Sequence, residues 1–234
     1  MTNFKNTSLI AQSNATTQNY KNEWEQSYER KENHVFYPHE EVIVFVSKYI
    51  RKRIGLDKFK DVSITNSANK ILDLGCGIGR HIMYAHEMGL EPYGIDLSET
   101  AIETAKKWAS QNKIVNPAEK IKQGDVRSLP WQDGFFQYAL SHGVLDSMPF
   151  ETARKACIEL HRVLGREGLF YCDLISSTDS RQANNATGAI IVQDIHEHGT
   201  VQQYFNQQSI LALFDGLFTI IECNHIRREN CITG

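Results

Sequence analysis

The chain has 234 residues, 41% hydrophobic and 23% charged, which is enough apolar side chain for one sizeable α/β core and excludes wholesale disorder. Its 25 Lys and Arg stand against 28 Asp and Glu, a net charge of −3 that offers no general field to nucleic acid or an anionic membrane. No run of 18 uncharged apolar residues occurs, so no membrane-spanning helix is expected.

Residues 1–20 are rich in Asn, Thr, Gln and Ser and are expected to form a disordered tail with no secretory leader. Residues 21–60 are expected to form a helical lid or cap. Trp24 and Tyr28 lie four apart and share a helical face. After Pro38, Val42, Phe45, Val46, Tyr49 and Ile50 recur at helical spacing, and Arg51-Lys52-Arg53 suits the last turn of that helix.

Residues 61–234 are expected to form the main domain. Short apolar strands are predicted at Ile71–Leu74, Glu91–Asp96, Lys120–Gly124, Phe135–Ser141 and Gly168–Leu174. Helices alternate with them: 79–88 closed by Gly89, a run from Ser98 to about Gln111, and 151–164 closed by Gly165. Such alternation implies a doubly wound, mostly parallel sheet with helices on both faces. Strand-like runs at Ala189–Asp194 and Thr200–Phe205 flank a His-Glu-His-Gly turn and suggest an antiparallel insertion at the sheet edge. A helix over Ser209–Phe214 and a last strand over Phe218–Arg228 complete the reading. Cys76, Cys157, Cys172, Cys223 and Cys231 are widely spaced without a C-x-x-C pair, so inert thiols in a reducing cytoplasm are expected.

The most informative segment is Ile71-Leu-Asp73-Leu-Gly75-Cys76-Gly77-Ile-Gly79-Arg80-His81. A strand meets three glycines at alternate positions, and a helix begins. Such glycines let the chain bend sharply and let a ligand approach the backbone, where the helix start offers free amides. The spacing is G-x-G-x-G, not the G-x-G-x-x-G of dinucleotide binders, because Arg80 stands where the last glycine would fall. Asp73 would repel a pyrophosphate and suits a cationic ligand. Asp96 ends the second strand, where an acid can accept from ribose hydroxyls, and Asp125 follows the third, where it can accept from an adenine amine.

These motifs resemble those of class I S-adenosylmethionine-dependent methyltransferases, over roughly residues 70–175. The resemblance implies a seven-stranded sheet of order 3-2-1-4-5-7-6 with strand seven antiparallel, and S-adenosyl-L-methionine as cofactor, released as S-adenosyl-L-homocysteine. It assigns cofactor binding to Asp73, Gly75, Cys76, Gly77, Gly79, Arg80, Asp96, Leu97, Ser98, Gly124, Asp125, Val126 and Ser141. His142, after the fourth strand, is placed where the acceptor would face the methyl, and is a candidate general base. Asp146 is a second candidate. Tyr28, Tyr37, His142, His196 and Tyr204 are candidates for the acceptor chamber, and the insertion at about 176–205 for its substrate side.

Ser141-His-Gly-Val lacks the Pro-Pro-aromatic loop of base-modifying enzymes, the acid of metal-dependent catechol enzymes and the paired glutamates of arginine enzymes. A small-molecule acceptor without metal, nucleic acid or membrane is therefore expected. The stretch from Trp24 to His39 resembles methyltransferases of bacterial surface-sugar clusters, which points to a sugar or amino-sugar metabolite. The oligomeric state is left open, a homodimer included. The alternatives are a non-methylating or silent S-adenosylmethionine-binding protein, and an NAD-dependent oxidoreductase.

Overall fold

Runs of β-branched and other apolar residues, buried on both faces, form the centre of the molecule. The computed structural model describes residues 21–31, 33–63, 69–179, 188–192, 197–228 and 231–232. The expected tail at 1–20 and the candidate His196 lie outside the described residues. The elements in chain order are α1 (21–29), α2 (Glu40–Phe45, continued by a π-helical turn at Val46–Ile50), β1 (Arg51–Arg53), β2 (Phe59–Asp61), β3 (Lys70–Leu74) and α3 (Arg80–Glu87). They continue with β4 (Glu91–Asp96), α4 (Glu99–Gln111), α5 (Pro117–Lys120), β5 (Ile121–Gln123), β6 (Phe136–Ser141) and α6 (Phe150–Val163). The last are β7 (Leu164–Cys172), β8 (Gly188–Ile191), β9 (Val201–Tyr204) and α7 (Gln207–Phe214).

The main sheet has the order β5-β4-β3-β6-β7, and every pairing in it is parallel. In strand terms that is 3-2-1-4-5, the first five places of the expected order. The order reverses at β3, so the crevice beyond the carboxyl ends of β3, β4 and β6 is the place where such sheets bind ligands. Side chains alternate across β3 as the two-residue period requires. Leu72 and Leu74 join a core with Leu160, Leu213 and Phe214, while Ile71 joins Val42, Phe45, Ala85 and Leu140.

Local chemistry sets most helix ends. The Ser98 hydroxyl accepts from Ala101 N at 3.1 Å and caps α4. Gly89, at φ +70°, closes α3, with its amide on the His86 carbonyl. Asn206 and Ser209 cap α7 reciprocally.

Several expectations are corrected. Arg51-Lys52-Arg53 is not a helix end but strand β1, paired antiparallel with β2, so the 21–60 segment is only partly helical. Arg51 serves a different helix, since Nη1 donates to the Gly89 carbonyl at 2.9 Å, at the end of α3. Gly165 does not cap α6, which ends when Leu164 turns extended and β7 begins. Gly165 and Gly168 instead sit in β7 at the register irregularity opposite Phe136–Tyr138, where a Cβ on Gly168 would lie 3.0 Å from the Gly165 carbonyl and 3.2 Å from that of Gln137.

The predicted last strand at Phe218–Arg228 does not form. A strand requires a neighbour for its amides and carbonyls, and this segment is tied down by side chains instead: Glu222 holds Lys48 and Tyr49, and Arg228 holds Glu40. Strands six and seven of the expected order are thus absent among the described residues. The two runs in the insertion do pair antiparallel, as β8 and β9, in a separate two-stranded ribbon rather than in the main sheet.

Candidate functional site

The glycine bend between β3 and α3 is built by backbone geometry. Gly75, Gly77 and Gly79 have φ of +70°, +51° and +91°, a region costly for residues with a Cβ. The amides of Gly75 and Cys76 both donate to the Ile95 carbonyl, at 2.8 and 2.9 Å, which fastens the bend to the end of β4. A Cβ on Gly77 would meet Tyr28 Oη at 2.5 Å, so the missing side chain makes room for α1.

Asp96 completes this turn. Its Oδ2 accepts from Gly77 N at 2.8 Å and its Oδ1 from Ser98 N at 2.9 Å. Burial pushes the carboxyl up to about 6, against the pull of those two amides, with Asp73 adding to the rise. Asp73 is buried at the end of β3, and its Oδ2 has no hydrogen-bond partner. His81 Nδ1 lies 3.7 Å from it. A buried, unpartnered carboxyl oxygen beside a glycine bend fits an ammonium group, which would satisfy it.

A cavity of about 510 Å³ opens at this end of the sheet. Its walls include Gly75, Cys76, Gly77, Arg80, Asp96, Leu97, Gly124, Asp125 and Val126 from the expected cofactor set, and Tyr28 and His142 from the expected acceptor set. Asp73, Gly79, Ser98 and Ser141 are near in sequence but not on the wall, and Asp73 is only 3% exposed. Gly79 caps α3 and faces Ala105, Ser98 caps α4, and Ser141 is fully buried with an unpartnered Oγ. Asp125 already holds Arg127, whose Nε lies 2.9 Å from Oδ1 and whose Nη2 lies 2.5 Å from Oδ2. Burial pushes the Asp125 carboxyl up, but these bonds hold it below its usual value.

Three expected residues stand elsewhere. Tyr37 is 80% exposed and does not line the cavity. Tyr204 is fully buried in β9 and donates to Gln202 Oε1 at 2.7 Å, a packing role. Asp146 is also buried off the wall. Its Oδ2 accepts from Ile175 N at 3.1 Å while its carbonyl accepts from Gln203 N, so it clamps the chain after β7 to β9. Burial pushes its carboxyl up to about 7, with Asp173 adding to the rise.

That shift has a consequence for stability. An acid whose folded pKa is raised to about 7 keeps a proton between pH 4 and 7 that the unfolded chain has lost, so stability falls as pH rises through this window. Asp146→Asn keeps the acceptor for Ile175 and cannot ionise. Thermal melts of this variant should fall less between pH 5 and 8 than those of wild type, and parallel melts would contradict the clamp's protonation.

Sequence reasoning missed much of the rest of the wall: Asn33, Val35, Arg127, Val144, Met148, Lys155 and Glu197. Met148 lies just before α6 and Lys155 within it. Glu197 lies in the segment 176–205. Trp24 and Tyr28 bring α1 over the cavity. Glu25 latches α1 to the start of α4, where its carboxylate accepts from Glu99 N at 2.9 Å and Thr100 N at 3.0 Å. Free amides and a positive helix end make this a favourable anion site, worth about 0.3–1 kcal/mol. Glu25→Ala should therefore speed tryptic cleavage at Arg30 several-fold without changing the melting temperature by more than a few degrees. Equal cleavage rates would refute the latch.

Residues 72–172 match the model of the methyltransferase domain family. The methyltransferase YcgJ of Bacillus subtilis, whose own activity is uncharacterized, is 30% identical over 107 residues, 44% of this chain and 39% of that protein. A 2-heptyl-1-hydroxyquinolin-4(1H)-one methyltransferase of Mycobacteroides abscessus is 31% identical over 81 residues, 35% of each chain. The crystal structure of YcgJ shares the fold, with a TM-score of 0.53 at 19% identity over 75% of this chain and 67% of that one. The chain spans less than half the length of the first curated relatives it matches, 39% to 49% of them. Residues 72–172, with their parallel sheet and glycine bend, are thus similar to a methyltransferase domain.

Proposed function

We propose that the protein transfers the methyl group of S-adenosyl-L-methionine to a small-molecule acceptor, a sugar or amino-sugar metabolite. The observation that carries the cofactor is the unpartnered Asp73 oxygen beside a glycine bend that is fastened to Asp96. Asp73 would meet the ammonium group, Asp96 would accept from the ribose hydroxyls, and Leu97 and Val126 would pack on the adenine. Asp125 Oδ1 accepts from Arg127 N and Nε and Oδ2 from Nε and Nη2, so an adenine amine would share this carboxylate with Arg127. When bound, the cofactor supplies an electrophilic methyl group on a cationic sulfur, and its neutral thioether needs no acid to leave. The chain's own part is placement, which can contribute about 7–11 kcal/mol to the barrier. Trp24 and Tyr28 on α1 cover the site and keep water out, and His142 on the wall is the candidate base.

The cavity's volume suits a small ligand beside the cofactor. The acceptor class rests on the resemblance of the 24–39 stretch and on the net charge of −3, which favours neither nucleic acid nor membrane. Among the described residues no helix is long and apolar enough to cross a membrane. The five cysteines form no disulfide, which supports a reducing compartment such as the cytoplasm. Incubation with methyl-labelled cofactor and a panel of free and nucleotide-linked sugars and amino sugars tests the reading. Label should pass to a panel member. Label that stays on bound cofactor would favour a silent binding module, and tight NADH binding an oxidoreductase.

A further inference from the structure

Three histidines from distant parts of the chain meet beside the cavity, and they point to the chemistry of the acceptor. This inference rests on the methyltransferase reading above. β6 and β7 pair in parallel with Ser141 opposite Cys172, so the next residue on each strand, His142 and Asp173, emerge side by side. His142 Nδ1 lies 2.7 Å from Asp173 Oδ2, within ion-pair distance but off the line of a hydrogen bond in this structure. The other Asp173 oxygen accepts from Gly143 N at 2.8 Å, which fixes the carboxylate. Adjacent strand ends therefore hold this pair without relying on a loop.

His39, at the N-terminus of α2, stacks on the His142 ring at 4.0 Å between centroids and 30° between planes. His81 meets the same ring edge-on at 5.5 Å. The His39 amide donates to His81 Nε2 at 3.3 Å, and its Nδ1 accepts from Glu41 N at 3.3 Å. Both neighbouring rings are thus oriented by backbone bonds, and His142 is wedged between them with only Asp173 as a charged partner at Nδ1. Burial and the neighbouring His142 hold His39 down to about 4, so it stays neutral and does not compete for the proton. Burial pushes Asp173 up, but the His142 imidazole and the Gly143 amide hold it below its usual value, ionised.

We propose that Asp173 is a positioning residue that keeps the His142 proton on Nδ1 and leaves Nε2 bare as the base, and that the acceptor's nucleophile is a hydroxyl oxygen. A ring nitrogen facing a carboxylate carries the hydrogen, and the other nitrogen is then the acceptor. A nucleophile needs such a base when it arrives protonated and too weakly acidic to ionise alone. A hydroxyl meets that condition, whereas a neutral amine attacks with its own lone pair. The acceptor oxygen gains the methyl carbon and gives its proton to Nε2. The electron pair of the broken carbon–sulfur bond stays with sulfur, and the positive charge passes to the imidazole beside Asp173.

Nitrogen-resolved NMR of the 15N-labelled full chain at pH 8, with and without S-adenosylhomocysteine, reads the tautomer directly. The His142 signal is assigned by its loss in His142→Gln. The expected result is the Nδ1–H form in wild type, and a shift toward Nε2–H in Asp173→Asn with S-adenosylhomocysteine affinity unchanged within about threefold. An Nε2–H ring in wild type would overturn the proposal, whether or not the variant folds. So would a folded Asp173→Asn protein with the wild-type tautomer. Failure of the wild-type protein to bind S-adenosylhomocysteine would instead sink the methyltransferase reading itself. With labelled cofactor, transfer should reach hydroxyl-bearing members of an acceptor panel and fall about 10²–10⁴-fold in His142→Gln. Transfer to amines alone would overturn the acceptor class.

Discussion

Asp96→Ala should weaken S-adenosylhomocysteine binding by about 10- to 150-fold, the equivalent of one lost charge-assisted hydrogen bond of about 1.5–3 kcal/mol. The carboxylate has two duties in this structure. It is the acid proposed for the ribose, and it accepts from Gly77 N and Ser98 N, at the glycine bend and at the start of α4. Alanine leaves both buried amides without a partner, at about 1–3 kcal/mol each, so the protein should also melt earlier. The pH dependence gives an independent sign. The folded carboxyl sits near 6, raised by burial from 3.8, so it is protonated at pH 5 and ionised at pH 7. Wild-type affinity should therefore rise from pH 5 to 7, and Asp96→Ala should show a flat profile. Equilibrium dialysis with labelled S-adenosylhomocysteine measures both. A wild-type affinity in the alanine variant would place the ribose elsewhere.

Gly75→Ala should cost about 2–5 kcal/mol of stability and abolish cofactor binding in the fraction that folds. Two separate terms add. At φ +70° a Cβ costs about 1–2 kcal/mol by itself. The same Cβ would collide with the Val144 side chain, whose Cγ1 lies 2.9 Å from its position. Val144 is β-branched and cannot swing away cheaply, so overpacking adds about 1–3 kcal/mol. The double variant Gly75→Ala/Val144→Ala should recover the second term and not the first. Urea denaturation of the four members of this cycle reads the coupling directly. If removing Val144 gives no relief, the collision is not the cause.

Much of this site was legible because it depends on local chain geometry. The three glycines, Asp73 and Asp96 lie within 24 residues of sequence, and a strand-to-helix bend needs those residue types whatever surrounds it. Ser98 and Gly89 were readable for the same reason, since a cap satisfies groups a few residues away. What escaped depends on distant partners. Arg51 looked like a helix terminus because cations suit one, but its terminus belongs to α3, 38 residues along the chain from Arg51 to Gly89. Phe218–Arg228 has the composition of a strand, yet composition cannot supply the neighbouring strand that its amides require.

The candidate acids divide in the same way. Asp146 follows His142 by four residues, which made it plausible on a shared loop, and only the fold shows it buried against Ile175. Asp173 carries no motif. It matters because β6 and β7 are paired, and that register cannot be read from either strand alone. Tyr28 likewise reaches the cavity, and His39 the His142 ring, by folding over from the N-terminal segment. Tyr37, between them in sequence, points to solvent.

The account stands on a cation-accepting pocket at the ends of β3 and β4. Calorimetric titration of the full chain with S-adenosylhomocysteine and, separately, with NADH tests it most directly. The account predicts saturable one-to-one binding of S-adenosylhomocysteine and no heat of binding with NADH. Saturable binding of NADH, with none of S-adenosylhomocysteine, would contradict it.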